Sequence, residues 1–192
     1  MAGPENGGAM ALKLPRAIRL DPSDTFVFDR AAEPGEWVVS GAFIYNGRDP
    51  DDLAAKEKVA FRSGWLGVES FGWSTLAIVT QISDTERQQA LEALARRIHD
   101  VFSAPTLDAA RTAAEEELAF AASLCEHPSQ TLLAVQRTLE DGEIRERFRT
   151  ISPRQDFSEG GFKVFAFETT DEPDDEPLEE IDLAGMSKGR LP

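Results

Sequence analysis

A chain of 192 residues with 41% hydrophobic content, twelve Phe and three Trp has material for one sizeable core and little for a second. Its formal net charge of −15 argues against sequence-independent binding to nucleic acid or to an anionic membrane, both of which need a basic surface. The single cysteine excludes an internal disulfide and a cysteine-cluster metal or iron–sulfur site.

From the N-terminus, residues 1–13 are glycine-rich and unpatterned and are expected to form a disordered lead-in. They hold no basic region followed by an apolar run, so no secretory signal is expected. No stretch approaches the ~20 apolar residues of a membrane span, and a cytoplasmic location is the default. A single domain is expected over residues 14–168. Arg16–Leu20 and Thr25–Phe28 read as short strands around the turn Asp21-Pro22-Ser23-Asp24. Glu36–Tyr45 reads as a strand buried on much of both faces, with Trp37, Val39, Phe43 and Tyr45 on one side and Val38 and Ile44 on the other. Asp49-Pro50-Asp51-Asp52 is a helix start, with Asp at the cap, Pro at the first position and acids in the first turn, and it predicts a short helix over Pro50–Val59. Calcium loops need alternating ligands and a later bidentate acid, which this run lacks.

Phe61–Trp73 sets glycine beside large aromatics, in Gly64-Trp65-Leu66-Gly67 and Phe71-Gly72-Trp73. Such a segment can wall a pocket, with Trp65, Phe71 and Trp73 as the candidate binding residues. It can equally be a kinked strand whose rings pack in the core or at a homodimer interface. Leu76–Gln81 reads as a buried strand leading into a helix.

That helix and the next are the clearest elements. Ser83 with Glu86 three residues on is a capping box. Leu91, Leu94, Ile98, Val101 and Phe102 form one apolar stripe, and Pro105 ends the helix by Ala104. Thr106 caps a second helix with the stripe Leu107, Ala110, Ala114, Leu118, Ala121 and Cys125. Of Glu115, Glu116 and Glu117, at least two must face solvent. Thr131–Leu139 and Glu143–Ile151 alternate around Glu140-Asp141-Gly142 and predict a hairpin. Phe162–Glu168 is the last expected strand. Residues 169–192 carry eight acids against Lys188 and Arg190 and read as an acidic disordered tail. The order predicts an α+β fold: a largely antiparallel sheet with the two long helices packed on one face.

The chain holds none of the common catalytic constellations. Cys125 and His127 are two apart and do not face each other on a helix. Cys125 falls on the apolar stripe, and His99 lies between stripe positions. Gly64–Gly72 matches no phosphate-binding loop. No catalytic residue, metal or cofactor is therefore expected. What stands out is Arg145, Arg147 and Arg149 on one face of a strand, with Ile144 and Phe148 on the other. Three guanidiniums in so acidic a chain can bind an anion or a carboxylate-rich partner, or can be neutralised by neighbouring acids on a solvated face. Leu178, Ile181, Leu183 and Met186 interrupt the acidic tail, as in segments that fold onto a partner groove.

The runs Glu36-Trp37-Val38-Val39-Ser40-Gly41-Ala42-Phe43, Gly64-Trp65-Leu66-Gly67 and Phe71-Gly72-Trp73-Ser74-Thr75 resemble a small bacterial family of unknown function, over about Pro15 to Phe167. The resemblance implies company with the accessory genes of molybdenum-dependent oxidoreductases, hence a helper role. The expectation is a non-catalytic binding protein, an accessory or chaperone-like factor for another protein. The alternative is a small-molecule binder or enzyme built on the aromatic segment.

Overall fold

The computed structural model describes residues 12–102, 106–153 and, in backbone, 165–169. Pro105, most of the lead-in and the tail beyond Thr169 lie outside the described residues, as do the first three residues of the strand expected at Phe162–Glu168.

The fold is α+β, with two antiparallel sheets. The larger has the order β1-β5-β6-β7-β8, from β1 (Lys13–Ile18), β5 (Leu76–Gln81), β6 (Leu132–Glu140), β7 (Glu143–Pro153) and β8 (Phe165–Thr169). The smaller is β2 (Val38–Val39), β3 (Trp65–Gly67) and β4 (Trp73–Ser74). An antiparallel bridge from Arg16 to Trp37 links the two. The hairpin forms as its sequence dictates, with Asp141 and Gly142 both at positive φ in the turn.

Helix α3 (Asp84–Phe102) starts on the expected capping box: Ser83 Oγ accepts from Glu86 N at 3.2 Å, and Glu86 Oε2 accepts from Ser83 N at 3.0 Å. Thr106 Oγ1 accepts from Ala109 N at 3.1 Å at the start of helix α4 (Leu107–Ser123). Ala110, Ala114, Leu118 and Ala121 are buried and join Leu91, Leu94 and Ile98 against Trp37, Val39, Leu66 and Val68. Each large side chain so buried contributes ~1.5–3 kcal/mol. The stripes are shorter than their periodicity predicts, because Val101, Phe102 and Leu107 are exposed near the junction of the helices.

Val38 and Val39 alternate faces, and so do Trp65 and Leu66. Val38 and Trp65 pack with Ala77, Val79, Leu133 and Val135 on the large sheet, while Val39 and Leu66 pack with the helices. The small sheet thus stands between two apolar clusters.

Several expected elements change. Thr25–Phe28 is not a strand: Asp24–Val27 forms one helical turn, α1. The buried Asp24 carboxylate accepts from Thr75 Oγ1 (2.5 Å), Thr75 N (3.3 Å) and Ser74 Oγ (3.4 Å), and Phe26 is left exposed. The expected strand Arg16–Leu20 is instead Lys13–Ile18, set by register against β5 from Lys13↔Gln81 to Ile18↔Leu76. The expected strand Glu36–Tyr45 keeps only Val38–Val39, because Gly41 turns left-handed (φ 78°) and Ala42–Tyr45 becomes a 3-10 turn. The helix expected over Pro50–Val59 divides. Asp49 Oδ1 caps the 3-10 turn Pro50–Asp52, accepting from Asp51 N at 2.9 Å, and helix α2 runs over Ala55–Ser63 and takes in Phe61.

Two glycines explain part of the aromatic segment. A Cβ on Gly41 would stand 2.6 Å from the Leu66 Cβ, and one on Gly67 would stand 2.5 Å from Glu36 Oε1. That Glu36 carboxylate accepts from Glu33 N, Glu69 N, Ser70 N and Ser70 Oγ, pinning the turn after β3. Gly41→Ala combines this clash with an unfavourable φ and is expected to cost about 2–4 kcal/mol in chemical denaturation. An unchanged midpoint would show that the loop relaxes freely.

Candidate functional site

Strand β7 carries different chemistry on its two faces. Its inward face presents Ile144, Glu146, Phe148 and Thr150; its outward face presents Arg145, Arg147 and Arg149. Pairing with β6 sets Glu146 opposite Arg137, Arg145 opposite Thr138, Arg147 opposite Gln136 and Arg149 opposite Ala134.

Arg137 belongs to a buried row with Leu133 and Val135, and its side chain is fully enclosed. Its Nε donates to Glu146 Oε1 at 2.7 Å. Nη1 donates to the carbonyls of Phe61 (3.0 Å) and Gly64 (2.8 Å), and Nη2 donates to the carbonyl of Ser40. The guanidinium therefore serves carbonyls at the end of α2, where a helix leaves its last acceptors without intrahelical donors and favours a cation. Burial pushes the Arg137 pKa down, opposed by the charge and hydrogen bond of Glu146. Ser40 Oγ donates to the same Glu146 Oε1 at 2.5 Å. Both bonds fall on one oxygen. The residue lines a cleft of about 340 Å³ together with Ser123, Glu126, His127, Phe148 and Thr150.

Glu117 on α4 adds a second carboxylate. Glu115 and Glu116 are exposed as expected, whereas Glu117 is half-buried. Burial, reinforced by the charge of Glu146, raises its pKa from the ordinary 4.5 to about 7. Tyr45, buried nearby, is also raised by burial. Neither Arg137 nor Glu146 was singled out by local motif. The available signal was the two-residue alternation of β6, which puts a charge in the row Leu133, Val135, Arg137, where a buried side chain belongs.

Arg145, Arg147 and Arg149 are exposed and share the outward face. Arg145 pairs with Glu143 at 3.2 Å. Among the described residues, Arg147 and Arg149 make no ion pair or side-chain hydrogen bond. Trp65 belongs to one apolar cluster, whereas Phe71 and Trp73 both pack against the other. Trp65 is fully buried beside Phe148, with ring centroids 5.6 Å apart and its Nε1 without an acceptor. Trp73 stacks on Tyr45 at 5.6 Å, and Phe71 packs with the helix cluster at φ 55°. Cys125 is buried with Trp65, and burial pushes its thiol up to about 12, far from a reactive thiolate. His99 lies 3.3 Å from Asp100 on the exposed side of α3. No helix among the described residues is long and apolar enough to cross a membrane.

Replacing Arg137 with Met removes the partner of a largely buried carboxylate and orphans the α2 carbonyls. It is expected to cost about 3–5 kcal/mol by denaturant titration, and a loss below about 1 kcal/mol would mean that the network carries little. Glu117 gives a pH test. Between pH 4.5 and about 7 the folded protein holds a proton that the unfolded chain has lost, so stability falls as pH rises through that window. Glu117→Gln removes this loss: it should match wild type near about pH 5 and exceed it near about pH 8 by roughly 1–3 kcal/mol in thermal or chemical melts. Parallel pH profiles for the two proteins would contradict the assignment.

Neither curated proteins nor solved structures give a match to this chain. A family model does, over residues 10–171, which takes in both sheets and all four helices. The chain belongs to the family of unknown function DUF6505.

Proposed function

We propose that this protein acts by binding, as an accessory or chaperone-like factor, and that the outward face of β7 recognises a carboxylate-rich surface on another protein. The observation that carries this reading is the state of Arg147 and Arg149: exposed, adjacent on one face, and without an acidic partner among the described residues of a chain of net charge −15. A face balanced by the acids of the described residues would pair them, as Glu143 pairs Arg145. Guanidinium forks suit carboxylates through paired N–H donors, and a strand spaces them at about 6.6 Å, two residues apart. Gln136 and Thr138, opposite Arg147 and Arg145, add polar groups without charge, and the acids of that face, Glu140 and Glu143, stand at its turn end.

A small-molecule reading has one observation in its favour, the cleft beside Glu146, and it would use that cleft rather than the aromatic segment. A ligand retained in native mass spectrometry and lost on Glu146→Gln would support it.

The principal test is a pull-down with wild type and with Arg145, Arg147 and Arg149 all changed to Gln, at low and high salt. The triple variant should keep its circular dichroism spectrum and lose at most about 1 kcal/mol per residue, since exposed pairs contribute little. Partner recovery should be lost in the variant and weakened by salt in the wild type. Equal recovery from both proteins would discard the arginine face.

A further inference from the structure

We infer that the chain's own acidic C-terminal segment, residues 170–182, docks on the arginine face and must be displaced by the partner. The inference rests on reading that face as a carboxylate-recognition surface. Strand β8 runs antiparallel to β7, and its last residue, Thr169, stands opposite Arg149. At Thr169 the strand therefore points along β7 toward Arg147 and Arg145. Continuing the same register would bring Asp171 level with Arg147, on the arginine face. The segment that follows holds Asp171, Glu172, Asp174, Asp175, Glu176, Glu179, Glu180 and Asp182 and no basic residue. Arg149 to Arg145 spans about 13 Å at ~3.3 Å per residue, which a handful of extended residues covers. Pro173 cannot donate to a ladder and would end strand pairing there, so the later acids would reach the guanidiniums as a crossing segment. Tethering by so short a connection gives a millimolar effective concentration, enough to populate contacts that are individually weak. Screening by salt should release them.

The test uses the full chain, a chain ending at Thr169, and a full-length variant with Asp171, Asp174 and Asp175 changed to Asn and Glu172 and Glu176 changed to Gln. The last keeps chain length should truncation disturb β8. The probe is a fluorescent synthetic peptide of residues 170–183, followed by anisotropy. Truncated and neutralised chains should bind it at least about tenfold tighter than the full chain, with affinity falling at high salt and lost when the three arginines become Gln. Equal affinity for all three chains, or binding that survives loss of the arginines, would overturn the inference. So would salt-sensitive, concentration-dependent dimerisation of the full chain that truncation abolishes, since the segment would then serve a second copy. If the peptide fails while the pull-down recovers an arginine-dependent partner, only this inference falls. If the peptide behaves as expected while the pull-down recovers no such partner, only the partner reading falls.

Discussion

The burial of Arg137 is the constraint around which this fold is arranged. A guanidinium taken wholly out of water is costly unless nearly every donor finds an acceptor. Here the acceptors come from three places distant in sequence: the end of α2, the Ser40 carbonyl at the exit of β2, and Glu146 on the neighbouring strand. Carbonyls that a helix end would otherwise turn to water are satisfied by a cation, and the cation is held by a carboxylate that Ser40 also bonds. One side chain thereby fixes the position of α2 against the hairpin and the path of the chain into the Gly41 turn.

The same pair also governs the exposed chemistry. Side chains on β7 alternate, so a slip of one residue would carry Arg145, Arg147 and Arg149 into the core and turn Glu146 and Phe148 outward. In that register β7 offers Arg137 no carboxylate, because the residues beside Glu146 are Arg145 and Arg147. The buried ion pair thus specifies which face the arginines occupy. The exposed arginine face thus depends on a polar network inside the fold.

Much of this could be read from local pattern, and the remainder has a common cause. Ser83 with Glu86, Thr106, and Asp141-Gly142 are short-range signals whose partners lie within three residues, and each appears as expected. The outward face of β7 follows from alternation alone. Thr25–Phe28 and Glu36–Tyr45 depart from their local pattern because their conformations are decided from far away. Asp24 is held by Ser74 and Thr75, about fifty positions on, and Gly41 is confined by Leu66 and Trp73. Glycine beside aromatic residues in Gly64–Trp73 leaves both a pocket wall and a packed, kinked strand open, because close backbone approach and ligand approach leave the same composition. Here Glu36 fills the space beside Gly67. Arg137 was visible as an anomaly in an apolar row, but its acceptors are mostly carbonyls, which no sequence distinguishes.

The two-residue strand β2 has a further consequence. Val38 and Val39 point to opposite sides, and each is a full member of a different apolar cluster. In a protein with two separate cores, the helix pair could detach while the large sheet survived, giving a stepwise loss of structure. Here the dividing layer is too thin to remain ordered when either side leaves, because its own ladder to β3 is only two residues long. The two clusters are therefore expected to come apart as one cooperative unit. Damage at a helix on one side would then be felt at the arginine strand on the other, through a common stability as well as through the contact of Phe120 on α4 with Phe148 on β7.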